Sequence, residues 1–196
     1  MYSSMPEDWI IPDWPAPACV HAVTTTRQGG VSRGVFSSMN PADHVGDDPQ
    51  AVAANRARLQ QQLALPAAPV WLQQVHGTKI VAAATASGTP QADAAYACNP
   101  GVVCAVLTAD CLPLLLCDRA GECVAAVHAG WRGLAAGVIE EAVQALQALQ
   151  RPGADLLAWL GPAISPVAYR VGEEVRDTFI AHDHRAEAAF TAAAGG

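Results

Sequence analysis

Residues 108–133 read TADCLPLLLCDRAGECVAAVHAGWRG, two apolar runs separated by a polar tetrapeptide. The tetrapeptide, Asp118-Arg119-Ala120-Gly121, has Asp at the first and Gly at the fourth position of a turn. An Asp side chain caps such a turn, and Gly tolerates the exit conformation. The stretch from Leu112 to Val127 is therefore predicted to form a β-hairpin.

The open end of this hairpin holds a thiol and an imidazole. One possible register pairs Cys117 with Glu122 and places Cys111 directly opposite His128. Opposed residues of an antiparallel pair share a face, with Cβ atoms roughly 4.5–5.5 Å apart. If Gly121 instead forms a bulge, the register slips by one residue and the two groups no longer face each other. Both registers are compatible with the sequence, and the first unites two chemically active groups.

Composition limits the class of protein. The 196 residues are 52% hydrophobic and 15% charged, which suits a globular fold with a sizeable core and excludes a disordered chain. A net charge of −7 argues against a broad nucleic-acid or anionic-membrane surface. The longest apolar stretch is interrupted by Asp110 and Pro113, so it predicts no membrane span. We expect a cytoplasmic protein.

The six cysteines predict no disulfide framework. Reduced thiols are typical of a chain of this length with no secretory signal. No Cys-x-x-Cys occurs, so a zinc ribbon has no support. Cys104, Cys117 and Cys123 lie in apolar runs and are expected to pack as small hydrophobic residues.

The rest of the chain alternates strand and helix patterns and predicts one domain of mixed α and β structure. Asp48-Pro49 is typical of a capped helix start, and the helix is expected to continue to about Ala64. Further helices are predicted after Gly133, running to about Gln150, and from near Gly172. Strands are predicted at residues 20–26, 68–72, 79–84, 102–107 and 156–160.

Two histidines stand where a side chain can face a cleft, because His76 and His128 each lie between an apolar run and a glycine. With Cys111 they form a His, Cys, His set, a three-ligand zinc pattern that leaves a fourth position open. The competing interpretation is a metal-free pair in which His128 activates the Cys111 thiol. The short zinc-deaminase signature is absent.

Arginines suggest an anion site. Arg27 precedes a Gly-Gly pair, Arg56 lies on the apolar stripe of the first helix, and Arg132 lies at a predicted helix start. Arginine favours bidentate contacts with phosphate or carboxylate, and a helix start offers free backbone donors. The alternative is that these are surface residues, with Arg56 extending along the edge of a packed face.

These features recur together in a recognisable order. The motifs are Arg27-x-Gly-Gly-Val-Ser, Ser38-Met-Asn40, His44-Val-Gly-Asp-Asp, Asn55-Arg56, Gln74-Val-His76-Gly, Thr108-Ala-Asp-Cys111-Leu-Pro, His128-Ala-Gly-Trp-Arg-Gly and Gly161-Pro-Ala-Ile. In this combination the chain closely resembles the laccase-domain family, also called polyphenol oxidase or peptidoglycan editing factor proteins. The resemblance extends from about His21 to Val175.

The resemblance implies a fold and a chemistry. The fold would be α+β, with mixed β-sheets flanked by helices in a single domain, similar to a cytotoxin with a Cys-His deamidase site. Zinc would be held by His76, Cys111 and His128. The activities would be phosphorolysis of adenosine, inosine, guanosine and methylthioadenosine, and deamination of adenosine. Asn40 and the Asn55-Arg56 pair match polar motifs at that site.

From this resemblance we assign roles as hypotheses. Arg56 would orient phosphate and Asn40 would hold the nucleoside, with Arg27 and Arg132 as further substrate-binding residues. Cys111, His128, Arg56 and Asn40 are the expected catalytic group. The expected partners are purine nucleosides and phosphate, with no nucleic acid or membrane, in a monomer or homodimer.

Two alternatives remain open at this point. One is a cysteine amidase that edits a cell-wall precursor, and the other is a copper-dependent polyphenol oxidase. Blue copper uses two His and a Cys, but further coppers would need more imidazoles than the remaining histidines supply. Family members usually continue beyond the last residue of this chain. The whole chain, residues 1–196, is therefore expected to be one laccase-family domain that lacks a C-terminal segment.

Overall fold

The computed structural model describes residues 6–149 and 155–192. The helices are α1 (Pro49–Gln62), α2 (Trp131–Ala136), α3 (Val138–Leu149) and α4 (Glu173–His182). The strands are β1 (Ile80–Ala82), β2 (Ala94–Ala97), β3 (Leu112–Asp118), β4 (Val124–Ala129) and β5 (Leu156–Leu160). These strands form one sheet in the order β1-β2-β4-β3-β5, in which β1 pairs with β2 in parallel and the other pairs are antiparallel. The predicted α+β fold with a mixed sheet and flanking helices is confirmed.

The sheet separates two apolar layers. On one face, Leu114 and Val127 pack against Val138 and Leu146 of α3. On the other face, a second cluster forms around residues of β2 and β4 and the irregular segments that cover them, namely Leu72, Ala95, Ala97, Val102, Cys104, Val106 and Val124. Successive strand residues alternate between these layers. The even-numbered positions of β4, which include His128, therefore belong to the second face.

The hairpin forms as predicted, but its register does not. Cys117 pairs with Val124 and not with Glu122, so the two strands are shifted by two residues from the first predicted register. The one-residue bulge register is also wrong. The loop is longer than a four-residue turn because the Asp118 N–H bonds to the Cys123 carbonyl, and the Asp118 carboxylate accepts from the Cys123 N–H. A two-residue shift leaves every side chain on its original face.

Several predicted strands are extended segments without a ladder. Residues 20–26 and residues 68–72 and 102–107 contribute only the isolated bridges Ile10–Thr24 and Val70–Cys104. The last two segments lie across the second face of the sheet, where Leu72 is buried and the other apolar side chains that pack on the sheet are partly buried. Strand β2 was not predicted, because its sequence Ala-Ala-Tyr-Ala has low strand propensity. The predicted strands β1 and β5 are confirmed, with β1 shorter than expected.

The helices follow the capping signals. The Asp48 carboxylate accepts a hydrogen bond from the Gln50 N–H and α1 begins at Pro49, as predicted. The helix expected after Gly133 begins earlier, at Trp131, and is divided by Gly137, whose φ of 94° ends α2. Its predicted end at Gln150 lies outside the described residues. In the described part of the chain, every helix is too short or too polar to cross a membrane.

One disulfide contradicts the expectation that all cysteines are reduced. Cys98 is bonded to Cys123. Ala97 at the end of β2 pairs with Val124 of β4, so the next residues along these strands are Cys98 and Cys123, and their side chains meet. Cys123 is therefore not the free hydrophobic residue that its apolar neighbours predicted. Cys117 is a buried free thiol, as expected.

Candidate metal centre

Three side chains with metal-binding atoms converge at one end of the sheet. The ligand atoms of His76, Cys111 and His128 all lie within 4.8 Å of one another. Cys111 Sγ is 3.7 Å from His76 Nε2, and the two imidazole rings meet edge to face with centroids 4.7 Å apart. His128 is buried, Cys111 is half-buried and His76 is exposed. This group could hold a metal ion, and a small molecule could reach the ion from the exposed side, where His76 lies.

The hairpin brings two of these residues together in a way that differs from the predicted one. Pro113 of β3 pairs with His128 of β4, and Cys111 lies two residues before Pro113. Side chains two residues apart share a face, so Cys111 is the diagonal neighbour of His128 and is not directly opposite to it. The conclusion that they share a face is right even though the register was wrong.

His76 arrives from a loop with a special backbone conformation. Its φ is 59°, a left-handed value that non-glycine residues rarely adopt. The N–H groups of Val75, His76 and Gly77 all point at one carboxylate, that of Asp93. The Asp93 carboxylate therefore fixes the backbone of this loop and keeps the His76 ring beside Cys111.

Asp93 contacts the candidate centre and was not predicted from the sequence. Its side chain has no solvent exposure, and His128 Nδ1 lies 2.8 Å from its Oδ1 atom. It directly precedes β2, in Gln91-Ala-Asp-Ala-Ala. An isolated acid within an apolar stretch is a usable signal, because a buried carboxylate needs hydrogen-bond donors.

Electrostatics favour the neutral forms of His128 and Cys111 in the absence of a metal. Burial lowers the pKa of His128, and its hydrogen bond to Asp93 opposes this shift only in part, so the ring is neutral near pH 7. Burial raises the pKa of the Cys111 thiol, and the charges of Asp110 and Asp93 raise it further. In the absence of a cation Cys111 is a protonated thiol, and a bound metal would displace that proton.

Glycines provide the space that the centre needs. A Cβ on Gly130 would lie 2.3 Å from His76 Cδ2 and 3.2 Å from Cys111 Sγ. A Cβ on Gly133 would lie 2.8 Å from the carbonyl oxygen of Gly77. The motif that follows His128 therefore packs against the loop of His76 and leaves no room for a side chain at these two positions.

A second polar cluster is built around α1. Asn55 has no solvent exposure, and its amide group bonds to Val31 N, Ser32 Oγ, Ser38 O and Asn40 O. Asp47 accepts hydrogen bonds from Ser32 Oγ and Asn40 Nδ2, and these bonds lower the pKa of Asp47. Asn55 thus organises the loops that carry the predicted substrate residues.

The predicted substrate residues make internal contacts in these loops. Arg27 donates to the carbonyls of Ser37 and Val35. Arg56 Nε donates to Pro41 O, and its Nη2 lies 3.1 Å from an oxygen of Asp43.

Two predicted arginines also stack on aromatic rings. The Arg56 guanidinium lies 4.4 Å from the centroid of the Trp71 ring, and that of Arg132 lies 4.4 Å from the Trp131 ring. Arg132 is exposed at the start of α2, two residues after Gly130. It is therefore the predicted arginine that is nearest along the chain to the His, Cys, His group.

A large cavity connects the loops with the hairpin. Its volume is about 1700 Å³, and its lining includes Arg27, Asn40, Thr108 and Asp110. Asp110 is the residue before Cys111. The structure thus groups His76, Cys111 and His128 directly, and it places Arg27 and Asn40 on a cavity that reaches the neighbouring residue.

The fold and the site define an α+β protein with a sheet-end centre that could hold a metal ion. The family described as multi-copper polyphenol oxidoreductase laccase matches residues 21–196. The chain belongs to this laccase-like family, as its motifs predict.

Curated relatives carry enzyme names. A Pseudomonas aeruginosa protein named purine nucleoside phosphorylase is 54% identical over 186 residues, which are 95% of this chain and 74% of that protein. The purine nucleoside phosphorylase YfiH of Escherichia coli is 52% identical over 185 residues, covering 92% of this chain and 74% of that one.

Solved structures share the fold. A Neisseria meningitidis protein has a TM-score of 0.88 and 49% identity, over 97% of this chain and 77% of that one. YlmD from Geobacillus stearothermophilus has a TM-score of 0.76 and 35% identity, over 84% of this chain and 67% of that one.

The close approach at Gly130 generates a test of the centre. We expect Gly130→Ala to weaken metal binding, because the new methyl group displaces His76. The expected loss is about 10- to 100-fold or more, since changes to residues that orient metal ligands have effects of this size. Competition with a chromophoric chelator measures the affinity. Gly172→Ala is the matched control, since the Cβ there meets only the flexible end of Glu174. Equal affinities in both variants would contradict the described packing.

Proposed function

We propose that this protein is a zinc-dependent purine nucleoside phosphorylase that also deaminates adenosine. The observation that carries the proposal is the convergence of His76, Cys111 and His128 within 4.8 Å. The names of the curated relatives support the nucleoside substrates. Adenosine, inosine, guanosine and methylthioadenosine are the proposed nucleosides, with phosphate as the second substrate.

The donor set fits zinc. Tetrahedral zinc with a Zn–N bond of about 2.1 Å and a Zn–S bond of about 2.3 Å places its nitrogen and sulfur ligands about 3.6 Å apart. Cys111 Sγ and His76 Nε2 are 3.7 Å apart, which is close to the spacing of two ligands of one zinc ion. His76, Cys111 and His128 would hold the ion.

Copper suits this chain less well, although the family description names it. The chain has six histidines, and after His76 and His128 four remain. Of these, His182 and His184 lie at the end of α4 and just beyond it. A multi-copper centre would need more imidazoles at one place than this arrangement provides.

Residues of the chain would bind the two substrates next to the metal. A bound zinc with an open position would activate water or polarise the purine. The exposed face of His76 gives access from solvent. Asn40, on the cavity wall, would hold the nucleoside, and Arg56 would orient phosphate, with Arg27 and Arg132 as further anion contacts.

A second candidate is a metal-free cysteine amidase acting on a peptidoglycan precursor. The contact between Cys111 Sγ and His76 Nε2 at 3.7 Å favours it, since a histidine so placed can accept a thiol proton. The predicted nucleophile–base pair was Cys111 with His128, and the hydrogen bond to Asp93 occupies only Nδ1 of that ring, so Nε2 is a second possible base. The raised pKa of Cys111 weighs against a free thiolate nucleophile.

Cellular context completes the proposal. A cytoplasmic location and a monomer or homodimer stay predictions. About a quarter of the length of the Pseudomonas and Escherichia relatives lies outside the match. The Cys98–Cys123 bond would be uncommon in a reducing compartment.

The direct test is incubation with adenosine, with and without phosphate, and analysis of the products. We expect adenine and ribose 1-phosphate when phosphate is present, and inosine from deamination. Cys111→Ala should lose both products and the bound zinc, because it removes the only sulfur of the centre. Mass spectrometry of products and elemental analysis of the protein measure these changes.

The matched control is Cys104→Ala. Burial raises the pKa of Cys104 to about 12, so this thiol stays protonated, and it is not one of the three proposed ligands. We expect its zinc content and products to equal those of the wild type. Absence of both products from the wild-type protein would contradict the proposed activity. A metal-free wild type that iodoacetamide alkylates at Cys111 would favour the amidase.

The role of Arg56 has a separate test. We expect Arg56→Ala to raise the KM for phosphate by about 10-fold or more, since a hydrogen bond to a charged group contributes about 1.5–3 kcal/mol. Asp43→Asn is the control, because it weakens the ion pair that holds the loop but leaves the guanidinium in place. Phosphorolysis at varied phosphate concentration measures both variants. An unchanged KM and kcat in Arg56→Ala would contradict this role.

A further inference from the structure

We propose that Asp93 is the positioning residue of the centre. It selects the tautomer of His128 and holds the loop of His76, so one carboxylate sets two of the three ligands. The inference rests on the metal site proposed above and adds a residue that contacts no substrate.

The sheet places Asp93 beside His128. Ala94 of β2 pairs with Val127 of β4, and the ladder continues with a hydrogen bond of 2.7 Å from the His128 N–H to the Asp93 carbonyl. Asp93 and His128 are therefore cross-strand neighbours, and their side chains lie on the same face of the sheet. The main chain fixes the approach of the carboxylate to Nδ1 and leaves the side chains little freedom to rearrange.

The hydrogen bonds of Asp93 decide the state of the ring. Three of its partners are the backbone N–H groups of Val75, His76 and Gly77, which can only donate. Both carboxylate oxygens are therefore acceptors, and the form that satisfies every contact has the proton on His128 Nδ1. The lone pair of the ring is then on Nε2, which is the atom left to bind a metal.

The same carboxylate shapes the loop of the other histidine. Three consecutive N–H groups point at Asp93, and this is the arrangement that keeps His76 at a φ of 59°. Without these bonds the residue would return to a more common backbone conformation. Its ring would then move away from Gly130 and Cys111, against which it now packs.

Asp93→Asn tests this inference. The amide NH₂ that replaces one carboxylate oxygen would face backbone N–H donors and could accept no hydrogen bond from them. If the NH₂ faces His128, it donates to Nδ1 and favours the opposite tautomer, with the proton on Nε2. We expect the affinity for Zn²⁺ to fall about 10- to 100-fold, as for other outer partners of metal-binding histidines. Chelator competition measures the affinity, and circular dichroism reports whether the variant is folded.

Asp118→Asn is the matched control. Asp118 is also a buried carboxylate that accepts a backbone N–H, but it lies at the opposite end of the hairpin and contacts no proposed ligand. We expect wild-type Zn²⁺ affinity from it. Equal affinity in Asp93→Asn and the wild type would overturn the inference and leave the metal site standing. A wild-type chain that takes up no Zn²⁺ would overturn both.

A measurement on the wild type covers the case in which Asp93→Asn does not fold. Long-range ¹H–¹⁵N correlation spectra of the metal-free protein distinguish the two tautomers of His128, whose signals are identified by their loss in His128→Gln. We expect the proton on Nδ1. A proton on Nε2 in the wild type would overturn the inference whatever the metal content of the protein.

Discussion

The arrangement at the end of the sheet depends on a carboxylate that is buried with no solvent contact. Burying an ion costs several kcal/mol, and a hydrogen bond from a neutral donor to a charged group returns about 1.5–3 kcal/mol. Asp93 accepts from three backbone N–H groups and one imidazole, so the contacts are numerous enough to offset its burial. They also fix the irregular loop of His76 to the paired strands β2 and β4. Stability of this region and geometry of the centre therefore come from the same interaction.

The centre also depends on the division of the sheet into two faces. Leu114 and Val127 face α3 and belong to one core cluster, while the opposite face carries His128 and Cys111 at its end. That opposite face is covered by irregular segments, and a cavity of about 1700 Å³ opens among them. Polar loops organised by Asn55 border the cavity. The sheet thus supplies His128, the segments next to it supply Cys111 and His76, and polar loops line the neighbouring cavity.

The sequence predicted features that depend on neighbouring residues or on the alternation of side chains between the two faces of a strand. The turn at Asp118, the cap at Asp48 and the shared face of Cys111 and His128 all follow from neighbouring residues, and the last is preserved through a two-residue shift of register. Features set by tertiary contacts were not predicted. The ladder of β2 and the bond between Cys98 and Cys123 depend on which strands become neighbours, and alanines carry no signal of that choice. Asp93 was not predicted, because its partners are mostly backbone groups and its position among apolar residues is its one signal in the sequence.

The central claim is that His76, Cys111 and His128 together bind one zinc ion and leave a position open. X-ray absorption at the zinc edge of the loaded protein tests it most directly. The account predicts one sulfur at about 2.3 Å, two imidazole nitrogens at about 2.0–2.1 Å and one light atom from solvent or buffer. In Cys111→Ala the sulfur contribution should disappear. A zinc shell made only of nitrogen and oxygen in the wild type, or one with several sulfurs, would contradict the account.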